Sequence, residues 1–258
     1  MAEESDPTNG ATPDPFGRAI LDVHRDEAAE PLLQFGDGYG REHPIERFYF
    51  SGFEPDDSVG EAWLLEHLDI DGPVLDMGAG AGRHARYLQE RTETVAVEPS
   101  GHLVRTMRER GVNDARRGDM FALPGRFGRD RFRSALAVGT QVGLAGSMDG
   151  LRAFLGDLAH VTDPAGRAVL DCYDPEREGA TELLGFRGDP TPGLAHRVMH
   201  FAYEGDVGPT LYFRLFAPDR LREACTGTRW TVADVRYDEE GSHYRAALEK
   251  RSGPDDSG

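Results

Sequence analysis

Three glycines follow an apolar stretch and an acid in Val74-Leu75-Asp76-Met77-Gly78-Ala79-Gly80-Ala81-Gly82. Glycine has no Cβ, so backbone at such positions can approach a ligand closely or take a positive φ. At the carboxyl end of a strand, a turn of this kind suits a ligand with a nucleoside portion. Further acids stand at comparable places: Glu98 ends Thr94-Val95-Ala96-Val97, and Asp119 follows Gly118. The glycine spacing alone leaves two ligand classes open. Counted from Gly78, the last glycine of Gly-x-Gly-x-x-Gly falls on Arg83; counted from Gly80 it falls on Ala85, a tolerated variant, so a dinucleotide stays possible and only Asp76 weighs against it. His84, just beyond the turn, is the histidine nearest to it in sequence, and is read either as a proton acceptor or as a solvent-facing helix residue. Tyr39, in Gly36-Asp37-Gly38-Tyr39-Gly40, and Tyr49, in the aromatic run Arg47 to Phe53, offer ring faces for a lid or for packing under a cap.

These residues need a scaffold, and its pattern is strand, turn, helix, repeated. Helices are expected at Arg83 to Arg91 and His102 to Arg110, a third unit near Asp114, and a fourth strand at Ser134 to Val138. Leu151, Phe154, Leu155 and Leu158 have helical spacing within Met148 to Val161, ahead of a strand at Ala168 to Asp171. Alternation of this kind predicts an α/β fold: a doubly wound, mostly parallel sheet with helices on both faces. Upstream, residues 16–69 read as a cap of helices, with Ile20 to Leu33 helical, Gly36 to Gly40 a flexible loop, and Ser58-Val59-Gly60-Glu61 a reciprocal cap starting a helix that runs to Leu68. A β-hairpin insertion is expected within about 175–217, from His196 to Tyr203 and Thr210 to Phe216, followed by a short helix from Pro218 to Ala224. The strands Trp230 to Tyr237 and Ser242 to Leu248 close the sheet as an antiparallel pair. Residues 1–15 and 252–258, poor in apolar side chains, read as disordered tails.

The run from Val74 to Ala85 resembles the first motif of class I S-adenosylmethionine-dependent methyltransferases, an acid followed by alternating glycines. The resemblance extends to Asp171 and implies a seven-stranded sheet and S-adenosylmethionine as cofactor, cradled by Asp76, Gly78, Ala79 and Gly80. It places Glu98, followed by Pro99, on the two ribose hydroxyls, where a carboxylate offers two acceptor oxygens. Asp119 and the Met120 amide would bind the adenine edge. Gly139, with Thr140 and Gln141, would lie beneath the methionine portion and face the acceptor. Tyr39 and Tyr49 join them as substrate-side candidates. One departure is Ser134, which stands where many relatives carry an acid at the start of the fourth strand, so no role of that acid transfers here.

Composition narrows the partners. Formal net charge is -17, from 46 acids against 29 bases, which repels nucleic acid and anionic membranes. Lys250 is the sole lysine, and so acidic and lysine-poor a surface points to a salt-rich cell interior, with codon bias the alternative. Cys172 and Cys225 provide no ligand spacing and no disulfide framework, so no metal is expected and a reducing cytoplasm fits. The expectation is a cytoplasmic enzyme, monomer or homodimer, methylating a small molecule without a dedicated nucleophile. An NAD-dependent oxidoreductase and a non-catalytic cofactor-binding protein are the competing readings.

Overall fold

The structure, a computed structural model, describes residues 12–251. Asp14 accepts from the Gly17 amide and Pro15 fixes the first turn, which starts α1, Pro15–His24. β1 (Leu33–Gly36) and β2 (Tyr39–Glu42) precede a π-helical turn at Glu46–Phe50. Ser58 caps α2, Val59–Glu66, through the Glu61 amide. The Glu61 carboxylate does not complete the reciprocal box, because it is drawn to the Glu54 amide and the Arg83 guanidinium. Next come β3 (Val74–Met77), α3 (Arg83–Leu88), β4 (Thr94–Glu98), α4 (Gly101–Glu109), β5 (Ala115–Arg117), β6 (Phe132–Ala137), α5 (Met148–Val161) and β7 (Thr162–Tyr173). The chain continues through β8 (Phe186–Gly188), β9 (Leu194–Tyr203), β10 (Asp206–Val207), β11 (Leu211–Phe216), α6 (Pro218–Cys225), β12 (Trp230–Tyr237) and β13 (His243–Lys250).

The main sheet has seven strands in the order β12-β13-β7-β6-β3-β4-β5. β3 to β7 are parallel, and β13 runs antiparallel between β7 and β12. Every residue of β3 and β4 is buried, as a central strand covered on both faces requires. Val74, Leu136, Val169 and Ala247 pack with Trp63, Leu64 and Leu88 on the face of α2 and α3. Leu75, Ala135, Leu170 and Ala246 pack with Phe154, Leu155, Leu158 and Leu221 on the face of α5 and α6. The order reverses between β3 and β6, so both strands deliver their carboxyl ends to the crevice where ligands bind in doubly wound sheets.

A second, six-stranded sheet is built on β9, which pairs with β1, β8, β10 and β11. The expected hairpin of β9 and β11 is present and recruits the N-terminal strands, so cap and insertion form one body. Two sequence expectations are corrected here. The helix is Pro15–His24 rather than Ile20 to Leu33, and it begins inside the segment read as a tail; residues 1–11 and 252–258 lie outside the described residues. Gly36 to Gly40 is an ordered hairpin, since Asp37 (φ 58°) and Gly38 (φ 78°) both take positive φ, the geometry of an Asp-Gly two-residue turn that matches strand twist.

Candidate cofactor site

Gly78, Gly80 and Gly82 have φ of 63°, 57° and 79°, so all three glycines of the turn occupy the left-handed region that a side chain resists. The amides of Gly78 and Ala79 donate to the Val97 carbonyl at 2.9 and 3.2 Å, which fastens the turn to the end of β4. Gly82 then opens α3, with Met107 and Val112 against its Cα. The turn therefore rests between two strand ends and a helix N-terminus, and both carboxylates expected beside it converge there.

Glu98 is 6% exposed; its Oε2 accepts from the Gly80 amide at 3.1 Å and its Oε1 from the Ser100 amide at 3.2 Å. Burial outweighs these two bonds and pushes its carboxyl up to about 7. Asp76 is 2% exposed, and burial pushes it up to about 7 against a bond from the Ala85 amide, with Glu98 adding repulsion. Its Oδ2 is buried without a hydrogen-bond partner among the described residues. An orphaned carboxylate oxygen beside left-handed glycines, next to a carboxylate with lone pairs left for hydroxyls, fits a ligand that brings ribose hydroxyls and a positive charge. A further acid, Asp14, lies close enough to add to the repulsion felt by Glu98.

Asp119 is exposed, and its Oδ1 accepts from the Phe121 amide at 2.9 Å, capping the short helix Met120–Gly125. Met120 is a buried core residue, and Pro99 is exposed with its carbonyl accepting from Arg117. After β6, Gly139 (φ 100°) and Thr140 (φ 61°) are both left-handed, a strained state for a β-branched residue. Asp171 holds them there: its carboxylate accepts the Gly139 amide at 2.8 Å and the Thr140 amide at 2.6 Å. Gln141 lays its side chain against Gly78, so the loop after β6 meets the glycine turn. His243, on β13, bonds Asp171 through Nε2 at 3.1 Å. Burial would raise the carboxyl of Asp171, but His243 and the two amides hold it below its ordinary value, and Asp171 in turn raises His243. Neither residue was singled out in the sequence. The available signal was an acid closing an apolar strand, Ala168 to Leu170, as Glu98 closes β4.

The aromatic run arches over this edge. Tyr49 packs on the turn, within 3.5 Å of where a Cβ on Gly80 would stand. Arg110 donates to the Tyr49 carbonyl at 2.8 Å and the Ala81 carbonyl at 2.6 Å, strapping the run to the turn. Arg83 bonds the Gly52 carbonyl from the other side. Phe53 serves packing, edge-on to His84 and Tyr87. Tyr39 is 74% exposed on β2, and the structure does not bring it to the turn. His84 is not the solvent-facing residue considered above: it is 9% exposed, and burial, with Arg83 and Arg245 adding to it, pushes it down to about 3. Ser134 lies inside β6, which begins at Phe132, toward the end of the strand away from the glycine turn, where its hydroxyl exchanges hydrogen bonds with the backbone of Asp69.

The architecture is the Rossmann-like fold of S-adenosylmethionine-dependent methyltransferases. An S-adenosylmethionine-dependent methyltransferase from Bacteroides fragilis, solved with S-adenosylhomocysteine, superposes with a TM-score of 0.71 over 92% of this chain and 94% of its own, at 22% identity. An amino pentose methyltransferase from Micromonospora echinaspora gives 0.56 over 76% of this chain and 91% of its own, at 17% identity. The 1,6-didemethyltoxoflavin-N1-methyltransferase of Burkholderia thailandensis gives 0.52 over 95% of this chain and 93% of its own, at 19% identity. No family model and no curated protein matches the sequence. Among the described residues no helix is long and apolar enough to cross a membrane, and no cluster of metal-ligating side chains forms.

Proposed function

We propose that the protein transfers a methyl group from S-adenosylmethionine to a small-molecule acceptor. The observation that carries this reading is the buried Glu98 carboxylate, held by the Gly80 and Ser100 amides beside three left-handed glycines. Likeness in fold to enzymes solved with S-adenosylmethionine or its product adds support. When bound, this cofactor supplies a methyl carbon on a sulfonium whose sulfur departs neutral. The chain's own residues then have three tasks. Glu98 and Asp76 hold ribose and charge; the Gly139-Thr140 turn, fixed by Asp171, shapes the acceptor side; Tyr49, strapped by Arg110, excludes water.

Calorimetric titration of the protein with S-adenosylmethionine, S-adenosylhomocysteine and NAD tests this. Both sulfur ligands are expected to bind and NAD to leave no heat. Binding of NAD alone overturns the reading in favour of a dinucleotide enzyme.

A further inference from the structure

β9 turns one face toward the main sheet, and along it Ala195, Met199, Phe201 and Tyr203 are buried against Ala81 of the glycine turn, Leu103, Tyr49 and Tyr173. Arg197 stands in the same alternation on that face and is 9% exposed. Its Nε donates to the Leu184 carbonyl at 3.0 Å, and no ion pair reaches it among the described residues. In a chain with 46 acids and 29 bases, carboxylates are abundant, yet this buried cation has none. Burial makes its charged state costly; Tyr173 offsets part of that cost, and Arg41 adds like charge.

Arg197 also lies near enough to residues of both walls of the proposed cofactor site for its charge to reach them. Its charge acts on Tyr173, whose ring meets His243 edge-on at 5.0 Å, and His243 bonds the Asp171 that holds Gly139 and Thr140. On the other wall its charge acts on His43, whose Nε2 lies 3.3 Å from the hydroxyl of Tyr49. With Nε engaged, the two Nη groups remain as a planar fork that matches an oxyanion. Phe16, Phe201, Tyr49 and Tyr173 belong to the apolar cluster on this face of β9, with Phe16 packed on both Tyr49 and Phe201, and offer rings suited to a flat apolar body.

Resting on the methyl-transfer reading above, we propose that the acceptor carries a carboxylate and that Arg197 binds it, orienting a flat, largely apolar molecule between the second sheet and the Gly139-Thr140 turn. The guanidinium is a binding group here and takes no part in the displacement.

The test uses the full chain with benzoate, the neutral isostere benzamide and inorganic phosphate as probes, each titrated in the presence of saturating S-adenosylhomocysteine. The wild-type protein should bind benzoate at least ~10-fold more tightly than benzamide or phosphate. Arg197→Gln should lose that preference, and Arg197→Lys should keep part of it. Benzoate binding no tighter than benzamide in the wild-type protein overturns the proposal, whether or not the variants fold. An unchanged benzoate affinity in folded Arg197→Gln does so too, and preference for phosphate overturns the choice of a carboxylate. Titration of S-adenosylhomocysteine alone is read separately. Its failure to bind removes the methyl-transfer reading and the acceptor with it, whereas failure of benzoate alone removes only the role of Arg197.

Discussion

Two buried carboxyls at the glycine turn, both pushed up to about 7, make this region sensitive to pH. Each binds its proton more tightly when folded than when unfolded, where such groups titrate at about 4. Between about pH 4 and 7 the folded chain therefore holds more protons, and stability of the ligand-free protein falls as pH rises, levelling above 7. Under the proposed function, cofactor binding runs the other way, because ionised Glu98 is the better acceptor for hydroxyls. Affinity for S-adenosylhomocysteine should rise between pH 5.5 and 8 while the urea midpoint of the ligand-free protein declines, and parallel trends would contradict the assignment. Glu98→Ala removes these charge-assisted bonds and should weaken S-adenosylhomocysteine by about 1–3 kcal/mol in calorimetry, with an unchanged affinity in a folded variant excluding Glu98 from the site. Of these residues, Asp76 and Glu98 were legible from strand-end position, whereas Arg197 was not, because alternation along β9 says nothing about what lies opposite.

Between elements, the loop after β6 depends on β7 and β13 more than on itself. Thr140 does not favour the left-handed region, so the Asp171 carboxylate must over-determine it by taking two consecutive amides. Asp171→Asn turns an amide N–H toward groups that are donors already, and it should destabilise the fold by about 2–3 kcal/mol in urea unfolding. The loss in methyl transfer should exceed the loss in cofactor affinity, since the acceptor-side turn is what relaxes; equal losses would argue for a purely structural role. The strap from Arg110 is a second link of this kind, tying the carbonyls of Tyr49 and Ala81 across the site. The start of α2 was readable because it is local: Ser58 accepts an amide of its own helix, as Ser100 and Ser147 also do in α4 and α5. Strands β1 and β2 were hidden for the opposite reason. They are short, and β1 joins its sheet through β9, far along the chain.

At the scale of the whole chain, a net charge of -17 means that the folded state confines mutually repelling carboxylates. Salt screens that repulsion over roughly 10 Å at 0.1 M and about 3 Å at 1 M. The melting temperature should therefore climb on the order of 5–10 °C between 0.1 and 2 M NaCl, measured by calorimetry, and a flat response would mean that surface arginines already neutralise the acids locally. Many arginines do form such pairs, as Arg133 does with Asp69 and Asp163, while the single lysine is buried and bonds the carbonyls of Ala159 and Thr162 at the end of α5. The sequence by itself determined the doubly wound sheet, its glycine turn and the acids at the strand ends, because strand period, helix caps and left-handed glycines are local properties of the backbone. Only the tertiary structure decided that cap and insertion share one sheet, that Asp171 and His243 hold the Gly139-Thr140 turn, and that Arg197 is buried without a carboxylate among the described residues. Those depend on which distant segments meet, and burial, hydrogen bonding and charge compensation acquire their values only after the chain has closed on itself.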